Sequence, residues 1–237
     1  MCHPSGNVLA AHGGIMKIPG MVAGIMALVF ATSAINLCHA EDQVDTRKDI
    51  AAVKSKPHIR GGIVYKTYCV LCHGDRGDGM ARATKLYGQG NLVIKPHDYE
   101  FYQKVIRDGG SSVGLSRYMP AWENELSEEQ INDVIEYLYI VNDPVARGEV
   151  VFKTNCILCH GVKGNGKGRA SVMYDPPPAN LTRSDKNDMY KKMIITMGGA
   201  AMGRSSVMPQ WGLQLKEQEI DDVVAYLRTI LVVPPPQ

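Results

Sequence analysis

The chain has 237 residues, of which 45% are hydrophobic and 21% are charged, and its formal net charge is +2. This is the composition of an ordinary globular protein, and the length allows two modest domains or one large one. The lack of a long basic run argues against nucleic-acid binding.

The first forty residues differ from the rest of the chain, because they contain one basic residue, Lys17, and no acidic residue. Lys17 is followed by an apolar run from Met21 to Leu37. Small residues, Cys38 and Ala40, then stand at the positions that precede a cleavage site. This layout is typical of a signal for export across the cytoplasmic membrane. We expect cleavage after Ala40, and therefore a periplasmic mature protein.

Two further readings of this segment stay open. The apolar run is close to the lower limit of roughly 17 to 25 residues for a membrane span, so a retained anchor from Met21 to Leu37 is the alternative to cleavage. Membrane association is expected only in that case. Residues 1–15 lack the charge of a targeting start, which makes Met16 a candidate for the true start.

The rest of the chain contains an internal repeat. A shift of 87 residues places the segment Gly61 to Gly74 over Gly148 to Gly161, and each segment contains two cysteines and a histidine at the same spacing. A shift of 89 places the Met-Pro-x-Trp segment at Met119 over the one at Met208. Two copies with complete motif sets predict two similar domains in tandem, since a solenoid needs at least three repeats.

We expect five segments. They are an export signal (1–40), an N-terminal extension (41–57), a first domain (58–143), a second domain (144–231) and a Pro-rich tail (232–237). Few residues join the two domains, and Pro144 is expected to end the preceding helix. The domains should therefore sit close together.

Each copy closes with a helical pattern in which apolar residues recur at i, i+3, i+4 and i+7. These residues are Ile131, Val134, Ile135 and Leu138 in the first copy and Ile220, Val223, Val224 and Leu227 in the second. Acidic and amide residues fill the other face. Ser127 and Gln130 predict a capping box at the start of the first closing helix.

Each copy also opens with a helical pattern, in which a glycine and an aromatic residue lie one turn apart. The pairs are Gly61 with Tyr65 and Gly148 with Phe152. Such a glycine allows another helix to approach closely while the ring covers the contact. Shorter central helices are expected at roughly Tyr99 to Arg107 and Asp188 to Thr196, and strand-like alternation is scarce. The predicted fold is all-α.

The pattern C-x-x-C-H occurs in both copies, at Cys69, Cys72 and His73 and at Cys156, Cys159 and His160. It is typical of covalent haem attachment, in which the two thiols bind the vinyl groups and the histidine ligates the iron. A zinc site, a thiol redox pair and structural disulfides are the alternatives. None of them explains the histidine that follows both cysteine pairs.

Methionines are the candidates for the second axial ligand of each iron. Met119 lies 46 residues after His73, and Met208 lies 48 residues after His160. A thioether raises the reduction potential of haem iron relative to a second imidazole. The methionines expected instead to fill the cores are Met80, Met173, Met189, Met193 and Met197. Met202 lies close to Met208 but has no counterpart in the first copy.

With these motifs the chain resembles the class I c-type cytochromes, in the form of a two-domain dihaem cytochrome c. The resemblance extends from about Ser55 to Leu231 and includes an Asn-Leu pair at Asn91 and at Asn180. It implies two covalent haem c groups with His/Met ligation and one-electron transfer between a redox protein donor and an acceptor. It implies no catalytic residue, because both iron positions are filled by the protein.

The expected function is that of an exported carrier that moves electrons between respiratory partners. One alternative is a haem-bearing subunit of a larger oxidase, reductase or dehydrogenase complex. A less favoured one is a dihaem enzyme such as a peroxidase, which would need an open iron position. The formal charge is −3 from Glu41 to Asp143 and +4 from Pro144 to Gln237, which could let the two halves prefer different partners.

Overall fold

The structure is a computed structural model that describes residues 43–81, 83, 90–94 and 96–232. The expected export segment (1–40), the alternative start at Met16 and most of the Pro-rich tail lie outside the described residues. From Val44 onward the chain forms one compact unit. Within the described ranges, no helix has both the length and the apolar character needed to cross a membrane.

The described residues form nine α-helices. They are α1 (Arg47–Lys54), α2 (Pro57–Val64), α3 (Val70–His73), α4 (Tyr99–Asp108), α5 (Glu128–Leu138), α6 (Pro144–Asn155), α7 (Ile157–His160), α8 (Asp188–Ala201) and α9 (Glu217–Thr229). A π-helical turn, Tyr65–Cys69, joins α2 to α3. Short 3-10 turns lie at Gly110–Val113, Ser171–Met173, Leu181–Arg183 and Trp211–Leu213. No β-strand occurs in this part of the chain, so the all-α prediction is confirmed.

The opening and closing helices of each domain cross in close contact, as α2 with α5 and α6 with α9. A Cβ atom built on Gly61 would lie 1.8 Å from the carbonyl oxygen of Asp133, and one built on Gly148 would lie 1.9 Å from that of Asp222. No side chain fits at either crossing. The expectation that these glycines permit close helix approach is therefore confirmed.

Aromatic rings cover both crossings. The ring centroids of Tyr65 and Tyr137 are 5.1 Å apart, and those of Phe152 and Tyr226 are 5.4 Å apart, with similar tilts between the ring planes. Tyr65 and Phe152 are almost fully buried. Because the arrangement recurs in both domains, each core is built around the same pair of crossed helices.

The closing helices place their apolar faces in the two cores as expected. Seven of the eight predicted residues are buried, and Leu138 is partly buried. At the start of α5 the backbone N–H of Gln130 donates to Ser127 Oγ at 3.2 Å, and the Ser127 N–H donates to Gln130 Oε1 at 2.9 Å. The predicted capping box is thus present.

Other local expectations need correction. Pro144 does not end a helix: α5 ends at Leu138, and Pro144 is the first residue of α6. Proline suits that position because the first N–H of a helix has no partner within it.

The acidic residues of α5 and α9 are not all on the solvent face, because Asp133 and Asp222 are buried. Both central helices also extend beyond their predicted ends, α8 with a break at Gly198, where φ is 80°.

The first helix, α1, packs on the second domain although it precedes the first domain in sequence. Ile50 and Val53 contact the second hydrophobic core. Just before α1, the Asp45 N–H donates to the carbonyl of Lys167 at 2.8 Å, and Asp45 Oδ2 accepts the N–H of Val162 at 2.6 Å. The N-terminal extension therefore forms part of the packing of the second domain.

Replacing both apolar residues of α1, Ile50→Ala with Val53→Ala, should destabilise the second domain by about 2 kcal/mol, because half-buried methyl groups are lost from its core. Hydrogen exchange resolved by domain would measure the effect. Lys54→Ala, on an exposed position of the same helix, is the control. Greater exchange in the first domain than in the second would contradict the packing of α1.

Gly148→Ala should lower the free energy of unfolding by about 3 kcal/mol, since its Cβ overlaps the backbone of α9 and forces the crossed helices apart. Denaturant unfolding would measure the loss. The control is Gly203→Asn, because no atom lies within 4 Å of a Cβ at Gly203 and asparagine tolerates its φ of 62°. Equal stability of the two variants would show that the crossing can relax.

Candidate functional site

The two C-x-x-C-H segments have the same local structure. In each, the first cysteine caps a four-residue helix that ends at the histidine: Cys69 precedes α3 and Cys156 precedes α7. Both cysteines are half-buried, and burial raises the pKa of each thiol to about 12. Such thiols stay protonated at neutral pH, whereas reactive redox thiols have a lowered pKa. This argues against the thiol redox alternative.

The second cysteines differ in exposure. Cys72 is exposed, and Cys159 is half-buried with a thiol pKa that burial raises. Among the described residues, which include the four cysteines of the two C-x-x-C-H segments, no group of three or more His, Cys, Asp or Glu side chains could hold a metal ion. The four-cysteine zinc site considered as an alternative is therefore not assembled.

Both histidines are held through the ring nitrogen Nδ1. His73 Nδ1 lies 2.7 Å from the carbonyl oxygen of Gly90, and His160 Nδ1 lies 3.1 Å from that of Ala179. A carbonyl can only accept, so Nδ1 carries the proton and Nε2 keeps its lone pair. Burial lowers the pKa of both imidazoles, which keeps them neutral. A neutral ring with a fixed Nδ1–H is the form in which histidine ligates a metal through Nε2.

The loop after each histidine is folded by a glycine. The N–H of Gly79 donates to the carbonyl of His73 at 2.9 Å, and Gly166 makes the same bond to His160 at 2.8 Å. Both glycines have positive φ, and a Cβ on Gly79 would lie 2.8 Å from the amide nitrogen of Asn91. This turn lets the following chain return and present its carbonyl to the imidazole.

The two Met-Pro loops are anchored by Gly-Gly pairs, one directly after α4 and the other at the break within α8. The N–H of Gly110 donates to the carbonyl of Met119 at 2.9 Å, and the N–H of Gly199 donates to that of Met208 at 3.0 Å. A Cβ on Gly199 would lie 2.0 Å from Ser205 O. Each methionine is therefore held close to a backbone position that accepts only glycine.

Each domain brings its methionine and its first cysteine to one core. Cys69 and Met119 both pack against the first core, and Cys156 and Met208 both pack against the second. The donor set is two thiols, an imidazole with a free Nε2 and a thioether. This set fits a haem that is attached through its vinyl groups and ligated by histidine and methionine.

Two ion pairs with buried carboxylates were missed from the sequence. Arg60 donates from Nε and Nη2 to the two carboxylate oxygens of Asp133, both at 2.6 Å. Arg147 binds Asp222 in the same way, at 2.7 and 2.8 Å. Each pair joins the opening helix to the closing helix, close to the crossing glycine. The internal repeat contained a clue, since the arginines correspond at a shift of 87 and the aspartates at 89.

Family models match both halves of the chain. The model described as cytochrome c matches residues 145–231, and the model described as cytochrome c oxidase, cbb3-type, subunit III matches residues 56–138. The fold and the two sites thus define two c-type cytochrome domains in one chain.

Curated proteins with similar sequences include subunits of cbb3-type cytochrome c oxidases. The cbb3-type cytochrome c oxidase subunit CcoP of Cereibacter sphaeroides is 27% identical over 76% of this chain and 65% of its own length. The CcoP subunit of Azospirillum brasilense is 26% identical over 84% of this chain and 69% of its own. The chain spans about two thirds of the length of these relatives. A solved structure, the reducing HAO-like protein complex Kustc0457/Kustc0458 of Kuenenia stuttgartiensis, is 20% identical over 73% of this chain and 96% of its own, with a TM-score of 0.34, too low to carry a structural argument.

The two matched segments are c-type cytochrome domains of class I, so the chain contains two such domains in tandem. It is an electron-transport protein whose cofactors are two covalently bound haem c groups. The sequence resemblance and the all-α tandem fold are confirmed by these matches. The comparisons favour the oxidase-subunit reading over that of a free carrier.

Proposed function

We propose that the chain is the haem-bearing electron-transfer subunit of a respiratory terminal oxidase complex. The observation that carries this proposal is the match of residues 56–138 to a cbb3-type oxidase subunit, together with oxidase subunits among the relatives. Its partners are then the other subunits of that complex and a redox protein donor. The domains lie in the periplasm, and residues 1–40 export the chain or anchor it.

The proposed boundaries of the two haem domains are 58–143 and 144–231. In the first, Cys69 and Cys72 attach the haem, and His73 and Met119 ligate its iron. In the second, the corresponding residues are Cys156, Cys159, His160 and Met208. Support comes from the Nδ1–H bonds that orient both imidazoles and from the glycine pairs that anchor both methionine loops.

The haem, when bound, supplies a one-electron iron couple. Cys69, Cys72, Cys156 and Cys159 would attach the two groups, and His73, Met119, His160 and Met208 would hold their irons, with the thioethers favouring the reduced form. With these ligands in place neither iron would have a position open to a substrate, and the chain would carry electrons to a reaction at another site.

The first experiment is the visible spectrum of the purified chain, oxidised and reduced, with haem measured per chain. Two covalent haems with a weak near-infrared sulfur-to-iron band, and no change on adding carbon monoxide, are expected. If one haem lacks that band and binds carbon monoxide, the result supports a dihaem enzyme instead.

The second experiment tests the assembly. A tagged chain expressed in its own host is crosslinked, extracted with mild detergent and purified. Co-purification of a haem-containing oxidase that oxidises reduced cytochrome is expected. If the dihaem chain is recovered without other subunits and transfers electrons without being crosslinked to them, the result supports a free electron carrier instead.

A further inference from the structure

The two halves of the chain depart from their own repeat at a few positions that lie together. Gly61 corresponds to Gly148, but the next residue is Gly62 in the first copy and Glu149 in the second. A Cβ on Gly62 would lie 2.5 Å from Val150 Cγ1, across the contact between α2 and α6. The second glycine of the first copy is therefore required where the two domains meet.

Val150 lies on the second-domain side of this contact, and it also differs in its surroundings from its counterpart in the first copy. It belongs to the second domain, yet it packs with the first hydrophobic core and is only 7% exposed. Its counterpart in the first copy, Ile63, is 52% exposed. One member of an equivalent pair is thus packed into the core of the other domain, whereas the other member stays half exposed.

Two close lysine–carboxylate ion pairs cross the same contact. Lys66 Nζ lies 2.6 Å from Glu219 Oε1, and Lys216 Nζ lies 2.7 Å from Asp75 Oδ1. Three of these four residues differ from their counterparts in the repeat: Asp75 replaces Val162, Lys216 replaces Ser127 and Glu219 replaces Gln130.

Lys216 occupies the N-cap of α9, where its counterpart Ser127 caps α5. Serine is favoured at an N-cap and lysine is not among the preferred residues. The second copy has therefore given up a good cap, and the residue in its place reaches Asp75 on the loop that follows the first haem motif. A contact with the other domain accounts for this exchange.

The contact brings the two haem-attachment segments towards each other. A cavity of about 210 Å³ lies beside the contact between α2 and α6. Its lining includes Thr67 and Val70, which flank Cys69, and Thr154 and Asn155, which precede Cys156. Residues next to both haem-attachment segments therefore line the same cavity.

We propose that these departures from the repeat form a fixed interface between the domains, which holds the two haem-attachment segments at a constant separation for electron transfer between them. This inference rests on the proposed two-haem function. The glycine contact sets how closely α2 approaches α6. Lys66 and Lys216 are more than half exposed, so their ion pairs add little energy but fix the orientation of the domains.

Gly62→Leu in the haem-loaded full chain tests the glycine contact. The new side chain collides with Val150, so the separation of the domains increases. We expect electron exchange between the haems after rapid photoreduction to slow severalfold, because the rate of electron transfer falls as the distance between two redox groups increases. The radius of gyration in small-angle scattering should increase. Ile63→Leu, which introduces a residue of the same size at the next and exposed position, is the control.

A charge exchange tests the orientation without steric change. Lys216→Glu should slow electron exchange between the haems, and adding Asp75→Lys should restore it by re-forming the pair with reversed signs. Lys192→Glu is the matched control, because Lys192 pairs with Glu217 and Asp221 within the second domain. It makes the same charge change without crossing the contact.

Haem content and axial spectra of every variant separate this inference from the proposed function. If the unmodified chain binds fewer than two haems, the proposed function fails. If all variants bind two haems with unchanged axial spectra, and Gly62→Leu and Lys216→Glu both exchange electrons as fast as the unmodified chain, the fixed interface is wrong. Slowing in both variants, with recovery in the charge-exchanged double variant, supports it.

Discussion

Met208→Ala in the haem-loaded chain is expected to abolish the near-infrared sulfur-to-iron absorbance of one haem and to leave that of the other unchanged. The thioether of Met208 is the proposed second axial ligand of the second iron, and alanine offers no donor atom. The vacated position should then bind carbon monoxide, which gives a large change in the visible spectrum. The midpoint potential of the second haem should fall, because a thioether favours the reduced iron.

Met202→Ala is the control for this prediction. Met202 is a half-buried methionine close to Met208, and it has no counterpart in the first domain. Its removal should leave both haems closed to carbon monoxide. Met119→Ala should reproduce the effect of Met208→Ala in the first domain. Unchanged spectra of both haems in the Met208→Ala chain would show that Met208 is not a ligand.

Short-range patterns were enough to predict the helices that build each core. The apolar period of the closing helices and the Gly-aromatic pairs at Gly61 and Gly148 act through neighbours one turn away. Because the whole domain is repeated, each pattern could be checked against its second copy. The same reasoning fails for single-copy features, such as the π-helical turn Tyr65–Cys69, whose counterpart in the second domain is α-helical up to Asn155 and is interrupted at Cys156.

Partners that are distant in sequence could not be predicted. An amphipathic pattern places acidic residues on the solvent face of a helix, but Asp133 and Asp222 are buried because arginines 73 and 75 residues earlier reach them. Likewise, nothing in the pattern of α1 distinguishes the two cores, and it packs on the later one. The only sign of the domain contact at Gly62 in the sequence is that the corresponding residue of the second copy is Glu149.

Most residues of the candidate site could be proposed from the sequence, because their donor atoms lie in short motifs. The sequence predicted the cysteines, histidines and methionines as a set. It could not predict which carbonyl holds each imidazole, since Gly90 and Ala179 lie 17 and 19 residues beyond their histidines on loops without a periodic pattern. It also could not relate the Gly-Gly pairs to the methionine loops, because that link is a backbone hydrogen bond.

Arg147→Met is expected to lower the free energy of unfolding of the second domain by about 3 to 5 kcal/mol, as removal of one partner leaves a buried charge unpaired. Arg147 and Asp222 are 5% and 3% exposed, and the guanidinium makes two bonds to the carboxylate and one, at 2.7 Å, to the carbonyl of Val141. Methionine fills similar volume but pairs with none of these atoms. Denaturant unfolding followed by domain-resolved hydrogen exchange would measure the loss.

The first domain and a double variant show whether burial of an unpaired charge is the cause. Arg60 is about one third exposed, so water can solvate the carboxylate of Asp133 when the arginine is removed, and Arg60→Met should cost less than Arg147→Met. Adding Asp222→Leu to Arg147→Met removes the stranded charge and should recover much of the lost stability, because a well-packed apolar pair can replace a buried ion pair at little cost. If the double variant is as unstable as Arg147→Met alone, the bond from Arg147 to Val141, at the junction of the two domains, is the larger contribution.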